Sequence, residues 1–190
     1  MTDAVKLVAG RRSGVHWAGT APDASALRRA AAAAGLGYAR IAGEGVRDKA
    51  ALLEAVAGAL GFPAYFGRNW DALEDGLRDL SWLAGHGAVL LWTPVDPLVK
   101  ADPDAWRVAL DVLRDVAAWW AGEGRPFLAV LGGARRPPGL GGARTPRRGR
   151  TRPDAGRGAR PGGRPVRRRA GARGVRRRSA PGRASRKPDA

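Results

Sequence analysis

The 190-residue sequence contains no cysteine. A disulfide framework and thiolate chemistry are therefore excluded, and this composition is compatible with the reducing cytoplasm, where we expect the protein to act. Residues 1–19 hold no apolar run of the length that a signal peptide needs, so we expect no secretory leader. No segment reaches the roughly 18 consecutive apolar residues of a membrane-spanning helix, and we expect no membrane association.

Sequence motifs of catalysis are missing as well. His16 and His86 are isolated, without a serine or a carboxylate at the spacing of a catalytic pair. The sequence has no phosphate-binding loop and no cluster with the spacing of metal ligands. We therefore predict that the protein is not an enzyme and that it uses no cofactor and no metal.

Negative charge is scarce overall, because 17 acidic residues face 34 basic ones and the formal net charge is +17. The excess lies at one end: residues 133–190 contain 20 basic and two acidic residues, whereas residues 1–132 contain 14 basic and 15 acidic ones. The end segment also lacks Phe, Trp, Tyr, Ile and Met. It cannot bury enough apolar surface to offset chain entropy, so we predict a disordered basic tail over 133–190.

Three interpretations of this tail stay open. Its arginines can bind nucleic-acid phosphates and release counterions. It can also be a solvated extension without a function, or the product of a shifted reading frame, because Arg, Gly, Pro and Ala all have GC-rich codons. The abrupt change of composition directly after the last predicted strand favours the last two interpretations.

Hydrophobic patterns in residues 1–132 predict an α/β fold. Apolar runs of strand length occur at residues 38–42, 88–92 and 127–131. Helical patterns lie between them, and this order predicts a small three-stranded parallel sheet packed with helices. The predicted helices span residues 22–34, 49–60, 69–80, 94–100 and 102–120. Two short apolar pieces near the N-terminus, 5–8 and 15–17, are predicted to form a hairpin.

Residues 62–79 combine an aromatic loop with a short acidic helix. Asn69 is a favourable N-cap, so the helix is predicted to begin there. On a helical wheel the apolar residues share an arc of about 80°. Asp71, Asp75 and Asp79 line the opposite side, and Glu74 lies beside them. Like charges at i and i+4 repel each other by about a few tenths of a kcal/mol, so this face indicates a cationic ligand.

Two other interpretations of the acidic face stay open. It can be an ordinary solvated helix surface. It can also hold Mg²⁺, since carboxylates at i and i+4 can ligate this ion, although the sequence shows no further ligands. In the preceding loop we expect Phe66 in the core and Tyr65 exposed.

The loop and helix closely resemble the signature of the barstar family, intracellular protein inhibitors of the secreted ribonuclease barnase. The similarity extends in register over residues 37–132, which we predict as a barstar-like domain between an N-terminal extension (1–36) and the tail. Outside the signature it covers strands and helices at 38–53, 88–92, 109–116 and 127–131. The run that carries the resemblance is Tyr65-Phe66-Gly67-Arg68-Asn69-Trp70-Asp71-Ala72-Leu73-Glu74-Asp75-Gly76-Leu77.

The resemblance implies a protein that plugs a ribonuclease active site built to bind RNA phosphates. It implies that Asp75 takes the place of the scissile phosphate and pairs with arginine and histidine side chains of the nuclease. Asp71 would accept hydrogen bonds at the rim of the contact. Asn69 and Gly67 would supply polar and backbone contacts.

The remaining partner-binding positions implied by the family are Tyr65, which would pack on a nuclease histidine, and Asp115 on the last helix. Glu74 replaces an aromatic residue of the family's interface helix, and Trp70 replaces an aliphatic residue on its core side. We therefore expect a cognate ribonuclease of the same general kind rather than barnase itself. We also expect the free protein to be a monomer.

Two rival functions remain. One is nucleic-acid binding through the arginine-rich tail. The other is an interaction module whose acidic helix binds a basic protein that is not a nuclease.

Overall fold

A computed structural model describes residues 3–141 of the chain, which alternate between helices and strands. In chain order the elements are α1 (Asp3–Ala9), β1 (Gly14–Trp17), α2 (Ala24–Ala33), β2 (Gly37–Ala42), α3 (Lys49–Leu60), α4 (Trp70–Asp79), β3 (Ala88–Thr93), α5 (Asp96–Ala101), α6 (Pro103–Gly122) and β4 (Phe127–Leu131). The mixed α/β fold predicted from the sequence is confirmed, and the predicted helices recur within a few residues of their expected bounds.

All four strands run parallel in one sheet, in the order β1-β4-β3-β2. The central strands β3 and β4 are the continuous apolar runs of the sequence, and every residue of β4 is buried. Strands that are buried on both faces need no polar alternation, which explains why these two were recognisable as unbroken runs.

The prediction of three strands is wrong by one, because the segment before residue 37 adds β1 to the sheet. Val15 pairs with Ala129 and Trp17 with Leu131, so β1 extends the sheet beside β4 instead of forming a hairpin. The other half of the expected hairpin lies in α1, where Ala4 and Val8 are buried one helical turn apart. Seven residues are too few for periodicity to separate a helix from a strand.

The sheet separates two apolar clusters. Its first face packs against α3, α4, α5 and α6, and buries Leu90, Trp92 and Leu131. Its second face is covered by α1 and α2. Val89, Leu91, Leu128 and Val130 point to that side, so within residues 3–141 the N-terminal segment covers one face of the sheet.

The folded body continues past the predicted end near residue 132. Ala134 N donates to Asp96 Oδ2 at 2.8 Å, and Trp106 Nε1 donates to the Pro138 carbonyl at 3.1 Å. Leu140 packs against the first apolar cluster. Residues 133–141 are thus attached to α5 and α6. The composition of residues 133–190 as a whole gave no sign of these contacts at the start of the segment. The remainder of the predicted disordered tail, 142–190, lies outside the described residues.

Among residues 3–141, no helix combines the length and the apolar character needed to cross a membrane.

Candidate functional site

The acidic helix α4 begins at a well-formed cap. Asn69 has an extended backbone, and its Oδ1 accepts a hydrogen bond from the N–H of Ala72 at 2.8 Å. Its Nδ2 also donates to the carbonyl of Gly67 at 3.3 Å, within the preceding loop. The predicted N-cap is confirmed, and one side chain fixes both the start of the helix and the end of the loop.

The turn into this helix takes its unusual backbone at Arg68 rather than at Gly67. Arg68 has φ 45°, in the left-handed region, whereas Gly67 is not among the glycines with positive φ. The Arg68 guanidinium lies 3.0 Å from Glu54 on α3. Both side chains are largely exposed, so this ion pair contributes little to the stability of the fold.

The inner face of α4 is buried, which holds its outer face in a fixed direction. Leu73 and Leu77 pack in the first apolar cluster. Trp120 of α6 donates its indole N–H to the Leu77 carbonyl at 2.9 Å, a buried contact between the two helices. Asp71, Asp75 and Asp79 lie on the opposite side, as the helical wheel predicted.

Glu74 differs from its acidic neighbours. Its carboxylate lies 2.5 Å from the Arg78 guanidinium, one helical turn further on, and its side chain is only 23% exposed. The charge that the sequence adds at this position is therefore offset within the helix. The i, i+4 spacing of the two residues was available in the sequence as a signal for this pair.

In the aromatic loop, the Tyr65 side chain faces solvent and the Phe66 side chain faces the core. Tyr65 is 87% exposed, whereas Phe66 packs edge-on against Phe62 with ring centroids 4.8 Å apart. Phe62 in turn contacts Trp82 edge-on at 5.5 Å. The loop therefore rests on an aromatic base and presents one ring to solvent, as expected from the sequence.

A surface groove of about 330 Å³ lies between this loop and α4. Its lining includes Tyr65, Phe66, Gly67, Asp75, Asp79 and Trp82. The loop packs closely on the helix at Gly76, where an added Cβ would come within 2.6 Å of the Phe62 ring.

The structure brings most of the implied partner-binding residues together. Tyr65, Gly67 and Asp75 line the groove, and the other three on this side, Asn69, Asp71 and Glu74, belong to α4 or its cap. Asp115 lies on a different helix, α6, which packs against α4, and it is half-buried.

Trp82 and Arg78 are features of this surface that the sequence reasoning missed. Trp82 lies in the turns after α4, and no periodicity connects it with Phe62.

Within residues 3–141, no group of three or more His, Asp or Glu side chains is arranged to hold a metal ion.

Fold and surface together define a small α/β protein with an acidic helix face beside an exposed aromatic loop. Residues 37–132 match the family model described as Barstar (barnase inhibitor). The match spans about half of the chain, and the chain belongs to the barstar family. The resemblance seen in the sequence is thereby confirmed. A comparison with curated proteins gave no match.

Proposed function

We propose that the chain inhibits a ribonuclease of the barnase kind by inserting α4 and the aromatic loop into its active site. The carboxylates of α4 take the places of RNA phosphates in a cleft that is basic because it binds RNA. The partner-binding residues are those implied by the family: Tyr65, Gly67, Asn69, Asp71, Glu74, Asp75 and Asp115. We propose that the chain acts in the cytoplasm and is monomeric when free.

The observation that carries this proposal is the exposed Asp75, which lies beside the aromatic loop on a helix held in place by the rest of the fold. It lies at the centre of the family signature, on a helix that is capped by Asn69 and bonded to α6 through Leu77. Such a surface loses little conformational freedom on binding, which leaves more of the contact energy for affinity.

Electrostatics supports the same conclusion. The structure shows no ion pair for Asp75 or Asp79 within residues 3–141. Their charge is available to a basic partner, and complementary charge speeds association and selects the partner. The barnase–barstar complex is itself the reference case for acidic hot spots and charge-steered association, so the fold-changes expected below are those typical of that class of complex.

Calorimetric titration against a barnase-like ribonuclease tests the site assignment. Asp75→Ala is expected to weaken binding by about 100-fold or more, as truncation at the centre of an interface does, and Asp71→Ala by about tenfold. Glu44→Gln is the control, since it removes one exposed negative charge that lies outside the groove. Full affinity in both aspartate variants would refute the assignment.

A second candidate function rests on the charge of residues 133–190, which carry 20 of the 34 basic residues. If nucleic-acid binding is the function, a chain that ends at Gly141 loses it. If the chain is a nuclease inhibitor, that shorter chain still inhibits. Cutting after Gly141 rather than after residue 132 keeps the contacts of Ala134 and Pro138 with the folded body.

A further inference from the structure

The groove beside α4 extends beyond the residues that the family signature explains. Its lining also includes Trp82, which is 38% exposed. The Trp82 indole N–H donates to the Leu60 carbonyl at 2.8 Å, and Phe62 contacts the ring edge-on with an interplanar angle of 84°. The indole is therefore held in place, and it still presents aromatic surface to the groove.

Asp79 lies on the same groove, one helical turn after Asp75. It is the last residue of α4, where the partial negative charge of the helix end disfavours a carboxylate. The basic residue of that last turn, Arg78, pairs with Glu74 instead. In the described part of the chain Asp79 forms no ion pair, so a cation that enters the groove would relieve this unfavourable position.

We propose that this groove receives one arginine side chain of the nuclease partner, which stacks on Trp82 and donates hydrogen bonds to Asp79 and Asp75. The inference rests on the proposed function, and it makes Trp82 and Asp79 determinants of partner specificity. A groove of about 330 Å³ is at the small end of ligand-binding sites, which suits a single side chain.

Arginine fits this site better than lysine does. Its planar guanidinium stacks on aromatic rings and donates in a fork that matches carboxylates, whereas the lysine ammonium is a strongly hydrated point charge. The apolar wall formed by Phe62 and Phe66 covers the methylene stem and lowers the local dielectric, which strengthens the charged contacts.

Nα-acetyl-arginine amide, titrated into the isotope-labelled full chain, tests the groove without any nuclease. We expect the nuclear magnetic resonance signal of the Trp82 indole N–H to shift saturably. The lysine analogue should bind about fivefold more weakly, and Asp79→Asn should weaken arginine binding by about tenfold. Glu44→Gln should leave binding unchanged. Equal binding of the two amides, an unaffected Asp79→Asn variant, or the lack of a saturable shift would overturn the proposal.

The same titration distinguishes another occupant. In the full chain without added amide, the Trp82 signal could already have the chemical shift expected of the arginine-bound groove, and raising the salt concentration could change that shift. Such a result would assign the groove to the chain's own arginine-rich residues 142–190. That result would overturn the nuclease arginine as the occupant.

Inhibition of barnase, used as the probe nuclease, forms the second arm. Asp79→Asn and Trp82→Leu should each raise the inhibition constant by about tenfold. Trp119→Leu is a matched control, because Trp119 is also 38% exposed but lies on α6, outside the groove.

If Asp75→Ala abolishes inhibition and Asp79→Asn does not, the proposed function stands and the arginine groove is refuted. If wild type does not inhibit barnase, the amide titration alone decides on the groove.

Discussion

The carboxylates of α4 fall into two kinds that the sequence alone does not separate. Glu74 is half-buried against Arg78, whereas Asp75 and Asp79 line the groove. The sequence indicated a face more acidic than that of the family, because Glu74 stands in place of an aromatic residue. In the structure the added charge is largely matched by Arg78, so the charge available in the groove belongs to Asp75 and Asp79.

Glu74→Gln should therefore change the affinity for the nuclease by less than about threefold, within the range of surface ion pairs. The reason is that the Arg78 guanidinium already offsets the Glu74 charge in the free protein. Titration calorimetry beside Asp75→Asn, which also removes one charge, measures the difference. A loss at Glu74 as large as the loss at Asp75 would show that Arg78 does not offset the Glu74 charge in the complex.

Tyr38 provides a prediction about stability and pH. Burial raises the pKa of its phenol above the usual 10.0, while nearby Arg40 and Arg28 act in the opposite direction. The folded state holds this proton more tightly than the unfolded state does. Relative to strongly alkaline pH, the protonated phenol therefore adds to the free energy of unfolding below about pH 10, and this part of the stability is lost as the pH rises through the raised pKa. Urea unfolding at about pH 8 and about pH 11 should show a smaller alkaline loss in Tyr38→Phe than in wild type.

At neutral pH, Tyr38→Phe should not destabilise the protein. The hydroxyl is buried and has no hydrogen-bond partner among residues 3–141, so its removal eliminates an uncompensated polar group. The expected change is a gain of up to about 1 kcal/mol in the free energy of unfolding. A loss of similar size would mean that the hydroxyl has a partner in solution.

Among the elements, α4 depends on one glycine for its contact with the aromatic loop. A Cβ at Gly76 would lie 2.6 Å from Cε2 of Phe62. Gly76→Ala should therefore lower stability and weaken nuclease binding, although alanine is favoured over glycine in helices by about 1 kcal/mol. Thermal unfolding and titration calorimetry measure both effects.

Gly58→Ala on α3 is the matched control, because nothing lies within 4 Å of an added Cβ there. This variant should gain about 0.5–1 kcal/mol from helix propensity alone. If Gly76→Ala gains as much as Gly58→Ala and binds normally, the close packing of Phe62 on α4 has no role in the site.

The elements differ in how well the sequence predicts them. β3 and β4 are unbroken apolar runs, and α3 and α4 each have a capping side chain and buried leucines at helical spacing. β1 has four half-buried residues, and its partner β4 is more than a hundred residues away, so local patterning carries no signal for it. The groove could not be predicted from the sequence either, because Trp82 and Phe62 lie on opposite sides of α4 in the sequence and come into contact only in the folded chain.

At the scale of the whole molecule, the family match and the folded body do not coincide. The match covers residues 37–132, whereas α1, β1 and α2 lie before it and complete the sheet. Without them Val89, Leu91, Leu128 and Val130 lose their cover. An uncovered apolar sheet face and an unpaired edge strand both favour aggregation.

A chain that begins at residue 37 should therefore be insoluble or unfolded, although it contains the entire family match. A chain that ends at Gly141 is the control, because it keeps both apolar clusters and should unfold at the same temperature as the full chain. Expression, circular dichroism and thermal unfolding of the two chains check this expectation. A stable, soluble chain from residue 37 would show that α1 and α2 are dispensable.

The charge of the whole chain and the charge of the acidic face of α4 have opposite signs. Residues 1–132 are nearly neutral, with 14 basic and 15 acidic residues, so the negative potential over α4 is local. We propose that this local face, and not the basic end of the chain, binds the partner.

The most direct test is the inhibition constant for RNA cleavage by a barnase-like ribonuclease that the wild-type chain inhibits, measured for wild type, Asp75→Ala and Glu44→Gln. We predict a constant about 100-fold or more higher for Asp75→Ala, as for other central hot spots, and an unchanged constant for Glu44→Gln. Equal inhibition by wild type and Asp75→Ala would contradict the account.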